Sequence, residues 1–267
     1  MLFQKKLERG NVGDIHYANG SIQFQSVKLN VYSYATDGIV IDAGSKSLAK
    51  QFQAFFDEQQ IDALYCTHIH EDHTGCAAWL QNQRNVPVYI HKKSITEAQK
   101  KGKYPLYRQL FWGKRPPFRP LPVPETFHSR TYNWKSIFTP GHSADHIAYL
   151  NMSTGQLFSG DLFVQVKTKV IMDSESIPQI IESIEHILSY DFKEVFCNHA
   201  GYIKNGKEKL QEKLDYLYHV TDEVKKLFQQ GMSVQEIQEH FFPRKYQITT
   251  FSLGQWDSKH IVTSILG

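Results

Sequence analysis

Nine consecutive residues, Thr67-His68-Ile69-His70-Glu71-Asp72-His73-Thr74-Gly75, place three imidazoles and two carboxylates within six positions. Neutral imidazole and ionised carboxylate are the donors that zinc, manganese and iron accept, so the chemistry this density offers is metal binding. In an extended segment His68 and His70 project to the same side, and a turn through Glu71 brings Asp72 and His73 round toward a second point. One loop can therefore serve two ions lying close together. Further donors stand downstream: His142 in Thr139-Pro140-Gly141-His142, Asp161 in Ser159-Gly160-Asp161, and His199 in Cys197-Asn198-His199. Glu71 lies between donors and reads as a solvated carboxylate or a partner of a ligand. The remaining histidines, His16, His91, His128 and His219 among them, read as surface or packing residues.

Each of these donors follows a segment with strand character. The run Ala63 to Cys66 leads directly into the histidines, and Ser136 to Phe138, His146 to Leu150, Leu157 to Phe158 and Val195 to Cys197 read as further strands. Ser21 to Val27, Asn30 to Tyr34 and Ile39 to Ile41 read as an antiparallel or mixed group joined by turns. Leu48, Phe52 and Phe55-Phe56 fall at helical spacing, and Ile177 to Ser189 reads as a second helix. From Gly206 the pattern changes: Leu210, Leu214, Leu217, Val224 and Leu227-Phe228 form the stripe of a long amphipathic helix. Ser233 with Glu236 predicts a capping box opening another helix, which Pro243 ends, and Ser258 to Leu266 predicts a last one.

The 267 residues are 41% hydrophobic and 21% charged, which suits a globular chain with a sizeable core and excludes disordered and fibrous classes. A formal charge of +3 gives no general argument for nucleic acid or membranes, so any such argument must be regional. No apolar run has the length of a membrane span or the form of a secretory leader, which predicts a cytoplasmic protein that does not engage membranes. Cys66, Cys76 and Cys197 form no CxxC pair and read as buried, reduced thiols.

The loop His68-Ile69-His70-Glu71-Asp72-His73 is similar to the HxHxDH signature of the metallo-β-lactamase superfamily, and the three later pieces match that family's remaining ligand motifs in order, over about Ile39 to Gly201. The resemblance implies an α+β fold, a four-layer αββα sandwich with its site at one edge of two sheets. Residues 1–205 would form this catalytic domain and 206–267 a small C-terminal helical subdomain. His68, His70 and His142 would hold one metal, Asp72, His73 and His199 a second, and Asp161 would bridge them. Asp42 and His146 would steady the ligands from behind. Two divalent ions are implied, zinc first, with manganese or iron as alternatives. His70 favours zinc, because the superfamily's di-iron oxygen-reducing members have glutamate at that place.

Two cations sharing an oxygen bring the pKa of that water toward neutrality and create a bridging hydroxide nucleophile, which Asp72 and Asp161 would position. No serine or cysteine nucleophile is then required. The pieces Thr139-Pro140-Gly141-His142-Ser143, His146 and Gly160-Asp161 resemble the glyoxalase II-like branch, whose members cleave thioesters. The helical tail resembles that of a related branch that includes nucleases and acyl hydrolases. Aspartate at 161, where the best-known secreted zinc β-lactamases have cysteine, argues against β-lactams. Between Lys92 and Arg119, nine cations meet one acid, Glu97, among Tyr104, Tyr107, Phe111, Trp112 and Phe118. This insertion, 92–119, is expected to cap the metals and to recruit an anionic substrate through Lys114 and Arg115. The expected activity is hydrolysis of a small anionic thioester or ester. The alternatives are a nuclease or phosphodiesterase, for which a nucleic-acid strand would be the partner, and an iron-dependent, persulfide dioxygenase-like oxidoreductase.

Overall fold

The computed structural model describes residues 3–267, which build two β-sheets packed face to face, with helices on both outer sides. The first sheet opens with a long meander, β1 (Gln4–Val12), β2 (Ile15–Phe24) and β3 (Val27–Thr36). Next comes β4 (Ile39–Ile41), antiparallel to β3, and then β5 (Ala63–Tyr65), β6 (Val88–Ile90) and β7 (Leu121–Pro122), each added parallel to the one before. Parallel addition needs crossovers. These are α1 (Ala49–Asp57), α2 (Ala77–Arg84) and the basic insertion, which contains α3 (Ile95–Ala98) and α4 (Leu106–Phe111).

The second sheet is built from β8 (Thr126–His128), β9 (Asn133–Phe138), β10 (Ile147–Asn151) and β11 (Gln156–Gly160). After the short β12 (Ile171–Met172), α5 (Ile177–Leu188) crosses to β13 (Glu194–Cys197), parallel to β11, and β14 (Gly201–Ile203) closes the edge. The chain ends in α6 (Gly206–Gln229), α7 (Val234–Phe241), α8 (Gln247–Phe251), β15 (Trp256–Asp257), which pairs with β12, and α9 (Lys259–Leu266).

Strand alternation produces the layers. Successive side chains of a strand point to opposite faces, so Ile39 and Ile41 of β4, and Ala63 and Tyr65 of β5, enter the core between the sheets, while Val40 and Leu64 face α1 and α2. In the second sheet Ile147 and Tyr149 of β10, Phe158 of β11 and Phe196 of β13 meet them from across. Ala148, Leu150, Leu157, Val195 and Cys197 face the helices on the other side. The inter-sheet core is largely aromatic: Phe158 stacks on Phe196 with centroids 4.9 Å apart, and both meet Tyr34 edge-on. The tail helices bury Leu210, Leu214, Leu217, Ile237, Ile261 and Ile265 in one cluster with Ile177, Ile184 and Ile187 of α5. Ser233 and Glu236 form the reciprocal capping box expected of them.

Two local features have identifiable causes. Gln4–Val12 is a strand although its residues are polar and mostly exposed, because it is an edge strand held by nine paired residues of β2. The strand expected to end at Val27 instead stops at Phe24. Gln25 adopts a left-handed φ of 54°, so the chain turns there and Val27 begins the next strand.

The metal-type loop is wedged against the segment after β4. Gly75 N–H donates to the carbonyl of Gly44 at 2.7 Å, and a Cβ at Gly75 would lie 2.3 Å from the backbone nitrogen of Lys46. Backbone cannot yield as a side-chain tip can, so Gly75→Ala is expected to destabilise the protein by about 1–3 kcal/mol. Urea unfolding checks this, and an unchanged midpoint would show that the contact is not tight.

Candidate metal centre

The donors meet at the ends of the central strands. His68 to His73 occupy the loop after β5, His142 the loop between β9 and β10, Asp161 the residue after β11, and His199 the turn after β13. His68, His70 and His142 bring one donor atom each within 4.8 Å of one another, as do Asp72, His73 and His199, and His68, His73 and Asp161. His70 Nδ1 lies 2.9 Å from His68 Nε2 and 3.1 Å from His142 Nε2. Asp161 stands between the two groups, 3.2 Å from His142 Nε2 and 3.0 Å from His199 Nε2 through Oδ2, and 3.4 Å from His73 Nε2 through Oδ1. Asp72 Oδ2 is 3.6 Å from both His73 Nε2 and His199 Nε2.

Four of the imidazoles are tied down on their far nitrogen. His73 Nδ1–H donates to Asp42 Oδ2 at 2.8 Å, and His68 Nδ1–H to Thr67 Oγ1 at 3.0 Å, whose hydroxyl donates in turn to Asp42 Oδ2 at 2.7 Å. His142 Nδ1–H donates to Glu175 Oε2 at 3.1 Å, and His199 Nδ1–H to the carbonyl of Asn30 at 2.5 Å. Each of these bonds places the proton outside and leaves the Nε2 lone pair facing inward, the tautomer a metal ligand requires. Buried His73 Nε2 and Asp161 Oδ1 have no hydrogen-bond partner. Orphaned lone pairs converging in a buried space are costly unless a cation accepts them, so the residues present fit divalent metal.

The local field follows from burial and charge. Burial pulls the His68 and His70 imidazoles well below the ordinary value, with neighbouring histidines, and for His70 also Arg108, acting the same way. Burial also opposes charge on His199, yet Asp161 and Asp72 raise it to about 9. His146 is pushed down to about 3, chiefly by burial, and is neutral. Its Nε2 accepts the backbone N–H of Asp161 at 3.0 Å while Nδ1–H donates to Thr139 Oγ1 at 2.8 Å. His146 thus holds the backbone of Asp161, and Asp42 holds the loop.

Several residues around this centre carry no legible signal in the sequence. Glu71 is fully buried rather than solvated, gripped by Arg108 of α4 through two 2.6 Å bonds, Nε to Oε1 and Nη2 to Oε2. Glu175 and Asn30 serve His142 and His199 from distant segments that have no motif of their own. Five of the seven donors, His70, Asp72, His142, Asp161 and His199, border a cavity of about 460 Å³, whose walls include Tyr107, Phe111 and Trp112 from the insertion and Ile248 and Trp256 from the tail. Of the nine cations of the insertion only Arg108 lines it. Lys114 is exposed and lies outside the lining, and Arg115 is 1% exposed, its guanidinium donating to the carbonyls of Ala98, Glu97 and Pro116. The insertion therefore presents an aromatic wall to the cavity, and Arg115 braces the insertion from inside. The three cysteines are buried free thiols.

The description of the metallo-beta-lactamase superfamily fits residues 30–199, more than half of the chain. This protein belongs to that superfamily. It is similar to an atrochrysone carboxyl ACP thioesterase of Aspergillus fumigatus, 24% identical over 73% of this chain and 58% of the relative. It is also similar to a probable metallo-hydrolase of Bacillus subtilis, 29% identical over 49% of this chain and 59% of the relative, and to a beta-lactamase-like protein 2 homolog of Drosophila melanogaster, 25% identical over 72% and 64%. The chain thus spans about six-tenths of the length of these relatives. A metallo-beta-lactamase family protein of Thermus thermophilus has the same fold, with a TM-score of 0.69 at 16% identity over 96% of this chain and 92% of its own. A beta-lactamase domain protein of Burkholderia ambifaria gives 0.71 at 18% identity over 97% and 87%. No helix among the described residues is long and apolar enough to cross a membrane.

Two substitutions test these contacts. Asp42→Asn keeps the size of the side chain but weakens the bonds that orient His68 and His73, and is expected to lower metal affinity by about 10–100-fold, measured by competition with a chromogenic chelator. Unaltered affinity would show that the loop orients itself. Arg108→Ala leaves Glu71 buried and unpaired, and is expected to cost about 3–5 kcal/mol in denaturant unfolding, most of it recovered when Glu71→Leu is added.

Proposed function

We propose that this protein is a hydrolase dependent on two divalent ions, zinc first, and that it cleaves a thioester or ester with a substantially apolar acyl group. The observation that carries the reading is that the donor cluster opens, through His70, Asp72, His142, Asp161 and His199, onto a mostly apolar cavity. His68, His70 and His142 would hold one ion, Asp72, His73 and His199 the other, with Asp161 between them. Metal bound there supplies Lewis acidity toward an acyl carbonyl and acidifies water toward neutrality.

The protein's own residues supply the rest. Asp72 lines the cavity and is the carboxylate placed to take the proton that an attacking water gives up, and to return it to the leaving thiolate or alkoxide. Tyr107, Phe111, Trp112, Ile171 and Trp256 accept apolar substrate surface and exclude bulk water, which strengthens electrostatic interactions beside them. Thioesterase and hydrolase names among the relatives support this choice of substrate. The aromatic insertion could in principle stack bases, but its cations, Arg108 excepted, lie outside the cavity lining and lay no basic track to the centre, so phosphodiester cleavage is the weaker reading.

Elemental analysis is expected to give about two equivalents of divalent metal and the double variant His68→Ala/His70→Ala about one. Asp161→Asn, which keeps the shape and removes the charge, is expected to lower metal content and reduce turnover by on the order of 100-fold, on a panel of acyl thioesters, esters and phosphodiesters. A folded protein that binds no metal, or one that turns over phosphodiesters alone, would sink the proposal. A single iron with no hydrolysis would favour oxidative chemistry instead.

A further inference from the structure

One buried charge in the cavity wall has no counter-ion. Lys213 of α6 is 5% exposed, and its ammonium donates to the carbonyl oxygens of Leu162 at 2.8 Å and Phe163 at 2.6 Å, the two residues that follow Asp161. Among the described residues no carboxylate pairs with it. Glu175 and Asp161 act on it only at a distance; Glu175 accepts from His142 Nδ1–H, and Asp161 stands among the candidate metal donors. An ammonium has three N–H donors, and two are accounted for. Lys213 is nevertheless part of the cavity lining. Carbonyl dipoles offset the cost of burying the charge only in part, and burial pushes this ammonium down to about 8.

The ammonium is also held in place. Phe163 O accepts a second bond, from Gln165 N–H at 2.6 Å, which closes a tight turn around Val164. Val164 has a left-handed φ of 48°, strained for a β-branched residue, and it too lines the cavity. The turn therefore sets a fixed cation beside an apolar wall of Val164, Ile171 and Ile180. Arg108 is the poorer anion site, because Glu71 already neutralises it and its remaining Nη1 faces the sulfur of Met172 at 3.7 Å.

We propose that Lys213 anchors an anionic group on the acyl half of the substrate, so that the cavity selects thioesters or esters whose acyl chain carries a carboxylate remote from the scissile carbonyl. The inference rests on the acyl-hydrolase reading above. The acyl half is indicated because Lys213 is enclosed, whereas a departing thiol or alcohol must reach solvent. The free carboxylate would accept the third N–H of Lys213, a charge-assisted bond in a site with little water.

The test uses metal-loaded wild type, Lys213→Met and Lys213→Arg, each first checked for metal content and thermal midpoint. Calorimetry with dicarboxylates from succinate to suberate, each against the monocarboxylate of equal length, leaves one carboxylate for the metals and asks where the other goes. The best dicarboxylate is expected to bind wild type about 10-fold or more tightly than its partner, Lys213→Met to erase that preference, and Lys213→Arg to keep most of it. With matched acyl thioesters, Lys213→Met should raise KM by a similar factor only for the member with a terminal carboxylate, any change in kcat being shared by both members. Equal weakening of both members of each pair would make Lys213 a brace for the 162–165 turn and overturn the proposal, as would the absence of any preference in wild type. A Lys213-dependent dicarboxylate preference without thioester turnover would retain the anion site and retire the acyl-hydrolase reading.

Discussion

The site depends on the carboxylate of Asp42. Fully buried at the end of β4, with a left-handed φ of 58°, it accepts the backbone N–H of Thr67 at 2.7 Å, the Thr67 hydroxyl and His73 Nδ1–H. Those bonds orient His73 directly and His68 through Thr67, and they tie the loop after β5 to the neighbouring strand. A buried carboxylate without such donors would be expensive. The cost is met because the loop is wedged there by Gly75, and the loop is ordered because the carboxylate waits for it. Order in the loop is thus present in the protein's own bonds.

The same logic extends outward. Glu175 and the carbonyl of Asn30 do for His142 and His199 what Asp42 does for His73, and His146 holds Asp161 by its backbone. Each of these partners comes from a different segment: the strand β3, the loop before α5, and the turn into β10. Displacing any one reorients a single ligand by a fraction of an ångström, and metal affinity and catalysis are sensitive to displacements of that size.

The cavity wall brings together the two parts of the chain outside the central sandwich. The insertion is pinned to the metal loop by the Glu71–Arg108 pair and meets the tail where Phe111 packs edge-on against Phe251, centroids 5.4 Å apart. The tail reaches back through Lys213 to the turn beyond Asp161. The cavity wall and the donor cluster therefore share a support: Arg108 and Lys213, which line the cavity, brace the segments that carry Glu71 and Asp161.

The grouping of candidate donors was legible in the sequence because residues delivered by strand ends fall into short motifs. A strand delivers His68 and His70 to one side by its period of two, and the pieces around His142, Asp161 and His199 each follow an apolar run. Layering was legible only through the family resemblance, because β4, β5, β10 and β13 are largely apolar on both faces and their alternation sorts into two cores only once the sheets are assembled. Of the groups that hold those donors, Asp42 and His146 were legible through the family resemblance, whereas Glu175 and Asn30 were not. Glu71 reads as solvated or as a partner of a ligand, and Arg115 as a recruiting cation, because sequence reports charge, whereas burial and pairing depend on which segments the fold brings within hydrogen-bonding distance. Lys213 illustrates the limit: on the helix it is one lysine among many, and only packing of α6 against the turn after Asp161 makes it a buried cation facing a cavity. Local spacing determined what the protein can bind, and the tertiary structure decided which charges are dehydrated, and so which of them can act.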